Sequence, residues 1–193
     1  MTKIFFFDLD GTLRQTKSGA TFISFPEDQK PIAGSQKAVA YYQSKGFTCV
    51  GITNQGGVAA GHKSLESAIE EQRITLSLFP QLSEIFFCPS WGEDCYKMDR
   101  KSEPLFISAH PGFSCRKPGC GMIQIAATFF REDELEIDDC WMTGDRPEDE
   151  QCAAAAGINF IPAAVMLAKF TPGMTEIACT HTDPAVLLKF LAL

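Results

Sequence analysis

The sequence has no stretch of about twenty consecutive apolar residues, so nothing in it is expected to span a bilayer. It has no basic excess either. Lys and Arg number 17 against 24 Asp and Glu, which gives a formal net charge of −7 at pH 7. With a pI near 5.0, that balance supplies no global attraction to nucleic acid or to an anionic membrane. A signal-peptide pattern is missing, because the apolar N-terminus meets Asp8 too soon. A cytoplasmic, reducing setting is the expectation that follows. The eight cysteines then read mainly as thiols or metal ligands and not as a disulfide framework. What is present is ordinary for a soluble globular protein: 193 residues, 45% hydrophobic and 21% charged, enough for one domain with a real core.

The most informative stretch is Phe5-Phe6-Phe7-Asp8-Leu9-Asp10-Gly11-Thr12-Leu13. A short apolar run closed by glycine reads as a buried strand entering a turn. Side chains alternate along a strand, so Asp8 and Asp10 lean to one side at its carboxyl end. In open parallel sheets that end is where ligands bind. Two carboxylates there repel and resist desolvation unless a cation or a proton intervenes, and an all-oxygen donor set suits a hard ion such as Mg2+.

The rest of the chain repeats a strand–loop–helix rhythm. Turn chemistry fills Arg14 to Pro31, and a helix is expected from about Ser35 to Lys45, stopped by Gly46. The stretch between Leu13 and that helix is too short for an inserted helical lid. Phe47 to Thr53 reads as a strand ending in Thr53-Asn54-Gln55-Gly56-Gly57. A hydroxyl and glycine N–H groups there can face an oxyanion, or form a plain loop. Ser64 caps a helix whose stripe is Leu65, Ile69, Leu76 and Phe79. Glu84 to Cys88 is a third strand, and 89–114 reads as a long irregular insertion. Cys115-Arg116-Lys117-Pro118 precedes a helix from about Met122 to Phe130, and an acidic linker runs from Glu132 to Asp139. Cys140 to Thr143 is a strand that ends in Gly144-Asp145 with Asp149 four residues on. A helix closing at Gly157, a strand Ile158 to Ile161, an irregular stretch Gly173 to Asp183 and a last helix from Pro184 to Leu191 complete the chain.

Asp8-Leu9-Asp10-Gly11-Thr12-Leu13, Thr53-Asn54-Gln55-Gly56, Lys117 and Gly144-Asp145 with Asp149 stand in the order of the four motifs of the haloacid dehalogenase superfamily. The chain is identified as resembling its phosphatases, of the subclass IIIA with little or no cap. The implied fold is a three-layer, Rossmann-like α/β domain, with a mostly parallel sheet between helices. The implied activity is Mg2+-dependent phosphomonoester hydrolysis through an aspartyl phosphate. Asp8 would be the nucleophile and Asp10 the general acid and base. Thr53 and Lys117 would hold the phosphoryl oxygens, and Asn54 and Arg116 would contact substrate. Asp8, Asp10 and Asp145 would ligate Mg2+, with Asp149 in support. A non-catalytic phosphate-binding module is the reading from another class.

Two subgroups pull in different directions. Cys-Pro, Cys-Arg-Lys-Pro and the last motif look like heptose-bisphosphate and histidinol phosphatases, which implies a small sugar or amino-alcohol phosphate. Those enzymes carry zinc before Arg-Lys-Pro. Cys88 and Cys115 match its outer positions, Ser90 and Phe113 depart from the pattern, and Cys95 and His110 are the substitutes. Free thiols in a loop are the alternative. Thr16-Lys17-Ser18-Gly19 with Phe22 looks more like polynucleotide 3′-phosphatases. With Lys97, Arg100, Lys101, Arg116 and Lys117 nearby, it tips the expected substrate slightly to a 3′-phosphorylated nucleic-acid end.

Overall fold

The computed structural model describes residues 3–109, 112–130, 139–171 and 182–193. Its centre is a sheet in the order β7-β6-β5-β4-β1-β8-β9. Strands β1 (Lys3–Phe7), β4 (Phe47–Asn54), β5 (Glu84–Cys88), β8 (Trp141–Gly144) and β9 (Asn159–Pro162) are parallel to one another. β6 (Asp94–Met98) and β7 (Leu105–Ser108) continue the sheet antiparallel. Two-residue strands β2 (Arg14–Gln15) and β3 (Lys30–Pro31) form a separate antiparallel ribbon.

The alternation in β1 decides the layers. Phe5 and Phe7 face one side, with α1 (Ser35–Ser44), α2 (Leu65–Leu78), α5 (Ala163–Ala168) and α6 (Pro184–Leu191) contributing to that cluster. Ile4 and Phe6 face the other, against α3 (Gly121–Phe129) and α4 (Pro147–Ala156). A central strand buried on both faces needs this continuous apolar run. Phe5 is the hub of the first cluster, with its ring centre 4.4 Å from Tyr42, 4.6 Å from Phe7 and 5.7 Å from Phe47.

The expected elements are present to within one or two residues, and their ends have the expected chemistry. The Ser64 hydroxyl accepts the Ser67 N–H at 3.1 Å, and Asp183 accepts the Ala185 N–H at 2.7 Å. No helix stands between Leu13 and Ile32, so the carboxyl edge of the sheet carries no helical cap.

The stretch 89–114 differs from expectation. It contains β6 and β7, not an irregular loop. Charge hides β6: Asp94 and Lys97 interrupt the apolar pattern, and Lys97 pairs with Glu84 on β5 at 2.7 Å. The β2–β3 ribbon, within the stretch expected as turns, and helix α5, six residues long, are further unforeseen elements. The acidic linker at 131–138 and most of the Gly173 to Asp183 stretch lie outside the described residues.

Because Phe5 touches both its own sheet and α1, Phe5→Ala is expected to lower unfolding free energy by about 3–5 kcal/mol. Urea denaturation should show the midpoint falling with its slope unchanged.

Candidate active site

β1 lies between β4 and β8, all three parallel, so their carboxyl ends are neighbours. This brings together Asp8 after β1, Thr53 and Asn54 at the end of β4, and Asp145 after β8. The Asp8 N–H donates to the Thr143 carbonyl at 2.9 Å, which fixes Asp8 to the β8 side. The chain then turns sharply: the Leu9 carbonyl accepts the N–H groups of Leu13 and Arg14, each at 2.9 Å. Gly11 makes the turn at φ +88°, and a Cβ there would run into the Asp145 carboxylate. The glycine of the first motif thus makes room for the aspartate of the last.

Lys117 reaches in from the loop before α3. Its ammonium is buried between two carboxylates, 2.5 Å from Asp8 and 2.6 Å from Asp149, and it also donates to the Ile52 carbonyl at 3.3 Å. Those partners keep it charged despite burial. Asn54 holds the Lys117 backbone from both ends: its amide donates to the Lys117 carbonyl at 3.0 Å and accepts the Lys117 N–H at 2.9 Å. The amide expected to meet substrate is therefore engaged in placing Lys117. Thr12 donates to Asp8 at 3.0 Å. Burial pushes the Asp8 carboxyl up to about 7, with Lys117 opposing and Asp149 adding to the rise. Burial, with Asp149, also raises Asp145.

Carboxylate oxygens of Asp8, Asp145 and Asp149 come within 4.8 Å of one another. When all three are ionised, three carboxylates around one ammonium carry excess negative charge, which is why burial and Asp149 raise Asp8 and Asp145 where no cation is present. An oxygen-only donor set with that excess fits a hard divalent cation. Asp149, expected only in support, is a member of the cluster.

Asp10 points elsewhere. Arg14 donates to both of its oxygens, from Nε at 2.9 Å and from Nη2 at 3.3 Å. Thr53 and Gln55 each donate to Oδ2 at 3.3 Å. Burial alone would raise this carboxyl, but the Arg14 guanidinium more than offsets it and holds Asp10 below the usual range. Arg14 is itself completely buried, 2.5 Å from Glu71, which pairs through its other oxygen with Lys63 at 2.5 Å. This Asp10–Arg14–Glu71–Lys63 chain was missed from sequence. The one available signal was the spacing of Asp10 and Arg14, four apart across a turn. Glu71 looks like any solvent-facing acid of a helix.

A cavity of about 800 Å³ opens over these groups. Asp8, Asp10, Thr53, Lys117, Asn54 and Arg116 all line it. Arg116 Nη1 is buried in that wall without a hydrogen-bond partner among the described residues. Of the other cations that favoured a polyanion, Lys101 is exposed and two are used internally. Lys97 pairs with Glu84, and Arg100 donates to the carbonyls of Leu76, Phe79 and Leu82 at 2.7–2.8 Å.

The zinc expectation is not supported. Cys88, Cys95 and Cys115 lie in the apolar cluster on the α3 side. Among the described residues the one group of three potential ligands is the aspartate cluster, and His110 lies outside them. Cys88 donates to the Ser90 carbonyl at 3.5 Å, and burial pushes its thiol up. Hydrogen bonding with Cys115, then burial, raises Cys95.

Comparison with known proteins fits this geometry. The family model described as polynucleotide kinase 3 phosphatase matches residues 3–156. A D-glycero-beta-D-manno-heptose-1,7-bisphosphate 7-phosphatase of Haemophilus ducreyi is 31% identical over 167 residues, covering 81% of this chain and 80% of its own. The histidine biosynthesis bifunctional protein HisB of Legionella pneumophila is 28% identical over 166 residues, 84% of this chain, which spans 41% of that protein. Among solved structures, the D,D-heptose 1,7-bisphosphate phosphatase of B. bronchiseptica, complexed with magnesium and phosphate, has the same fold. Its TM-score is 0.61 at 23% identity, over 99% of both chains. No helix among the described residues is long and apolar enough to cross a membrane.

The Asp8 environment makes a prediction about stability. Without metal, folded Asp8 keeps a proton up to about pH 7, whereas an unfolded carboxyl releases it near pH 4. The raised value therefore stabilises fully below about pH 4, and the benefit is lost as pH rises to about 7. Asp8→Asn cannot ionise. Its melting temperature relative to metal-free wild type is expected to rise between pH 4 and 7 and level off above. A difference that is flat or falls over this window overturns the assignment.

Proposed function

The chain belongs to the polynucleotide kinase 3 phosphatase family, within the haloacid-dehalogenase phosphomonoester hydrolases, and on that premise we propose that it dephosphorylates a small organic phosphate ester of the heptose-bisphosphate or histidinol-phosphate type. The observation that carries the reading is the Asp8–Lys117–Asp149 cluster at the floor of a cavity that also holds Asp10 and Thr53. A non-catalytic module has no use for a buried nucleophile paired with a buried cation, since burying the pair carries a desolvation cost. The small substrate is favoured over a nucleic-acid end by the internal use of Lys97 and Arg100 and by the net charge of −7. The unpartnered Arg116 Nη1 suits a second phosphate or another anionic group of the substrate.

In the proposed mechanism an Asp8 carboxylate oxygen attacks phosphorus. The Asp8–phosphorus bond forms as the bond to the leaving alcohol breaks, and the alcohol oxygen takes a proton from Asp10. A bound phosphate dianion close to Asp10 opposes Arg14 and draws a proton onto the carboxyl for this half. In the second half Asp10, held as a carboxylate by Arg14, takes a proton from water. The water oxygen attacks phosphorus, and inorganic phosphate and free Asp8 result. Lys117 and the Thr53 hydroxyl stabilise the charge on the phosphoryl oxygens. Asp8, Asp145 and Asp149, with the backbone carbonyl of Asp10, would hold Mg2+, which when bound neutralises the nucleophile and the phosphoryl charge.

Asp8→Asn is expected to abolish hydrolysis of all esters. Asp10→Asn should lower kcat by about a hundredfold or more. Millimolar Mg2+ should raise the melting temperature of wild type but not of Asp145→Asn, as binding to the folded state alone requires. Substrate class is read by kcat/KM on heptose bisphosphate, histidinol phosphate, a 3′-mononucleotide and a 3′-phosphorylated oligonucleotide. One of the first two should lead. An oligonucleotide that beats its mononucleotide and loses the advantage in added salt would overturn the small-substrate reading.

A further inference from the structure

Two large aromatic side chains stand in water where the active-site cavity opens. Trp91 is 61% exposed and Phe22 69% exposed, and both line the same cavity as Asp8 and Lys117. They come from separate loops: Phe22 from the segment between β2 and β3, Trp91 from the one between β5 and β6. Leaving an indole this exposed forgoes the stabilisation that its burial would give, and exposed apolar surface rimmed by polar groups marks a binding site.

The Trp91 loop is a built structure. The Ser90 hydroxyl accepts the N–H of Asp94 at 2.9 Å and of Gly92 at 3.3 Å. The Gly92 carbonyl accepts the Cys115 N–H at 2.9 Å, tying the loop to the segment that carries Arg116 and Lys117. Gly92 sits at φ +142°, with Ser114 packed where a Cβ would be. The Arg116 guanidinium carbon lies 5.2 Å from the Trp91 ring centre, within cation–π range. The backbone of the loop is therefore fixed by hydrogen bonds, and its one large side chain is braced at the cavity.

We propose that Trp91, with Phe22, determines specificity by stacking on a planar ring carried by the alcohol part of the substrate, so that a small, ring-bearing phosphate ester is preferred over one with a puckered or open carbon skeleton. The inference rests on the phosphatase reading above and narrows its substrate class to the ring-bearing members. Aromatic pairs gain from stacking beyond area burial, by an amount that corresponds to several-fold in affinity. A puckered sugar ring meets an indole through C–H groups and lacks the π face that aromatic pairing uses. The ring's source is taken as a small ester because Lys97 and Arg100, two cations that could follow a polymer backbone, are engaged elsewhere and the net charge is −7.

The test uses two esters of similar size, benzyl phosphate and cyclohexylmethyl phosphate, with the Mg2+-loaded enzyme, and reads how their ratio changes on substitution at Trp91. Wild type is expected to favour the flat ring by about fivefold in kcat/KM. Trp91→Ala should bring the ratio to about one mainly by slowing benzyl phosphate, Trp91→Phe should keep most of it, and Phe22→Ala should lower it in part. An equal rate on both esters in wild type, or a ratio that survives Trp91→Ala, overturns the proposal while leaving hydrolysis intact. Failure of wild type to hydrolyse either ester would instead refute the phosphatase reading on which it rests. A 3′-mononucleotide and a 3′-phosphorylated oligonucleotide serve as further arms. A Trp91-dependent rate greater on the oligonucleotide would move the ring to a nucleic-acid end and overturn the small-ester assignment.

Discussion

The ammonium of Lys117 between Asp8 and Asp149 is the contact on which the rest of the site depends. It joins the end of β1 and the first turn of α4 to the loop before α3, and it does so through charges buried almost completely. A carboxylate left alone at that depth would take up a proton, and a lysine left alone would lose one. Each is tolerable only because the other is present. Everything around the trio serves its placement: Asn54 grips the Lys117 backbone, Gly11 leaves space for Asp145, and Thr12 donates to Asp8. A second charged chain, Asp10–Arg14–Glu71–Lys63, lies beside it and keeps the other motif-one carboxylate apart from the first. Two adjacent acids are thus given opposite surroundings. One is desolvated and raised, the other clamped and lowered. That separation is what a reaction needing a nucleophile and a proton carrier requires.

Sequence reveals such a site unevenly. Asp8, Thr53 and Asp145 were placed together from sequence because each sits at the end of a short apolar strand, where chain geometry aims the side chain, whereas Lys117 enters from the loop before α3. The fold was legible for the same reason: Phe5 and Phe7 alternate with Ile4 and Phe6, so β1 had to be covered on both faces. Glu71 was not legible, because nothing local distinguishes a helical glutamate that meets water from one that meets Arg14. β6 was hidden because Lys97 finds its partner on β5, a pairing that exists only across strands. Cysteine spacing found no support as a zinc signal: Cys88, Cys95 and Cys115 lie in an apolar cluster, and the nearby loop is built with the Ser90 hydroxyl. The basic residues of that region were likewise overcounted as a nucleic-acid surface. Arg100 spends its donors on the C-terminal carbonyls of α2 and on Leu82, which supports the helix end and not a ligand.

The reciprocal amide pair between Asn54 and the Lys117 backbone carries a consequence for how the molecule comes to be active. The residues it joins are 63 apart in sequence, and the Lys117–Asp8 contact spans 109. Contacts of such separation form only after the intervening strands and helices have closed their loops, and topologies rich in them fold slowly. No fragment shorter than 8–149 holds Asp8, Lys117 and Asp149 together. Catalytic competence is therefore tied to completion of the parallel sheet: recovery of turnover during refolding would report the last long-range closure, later than any signal from helix formation.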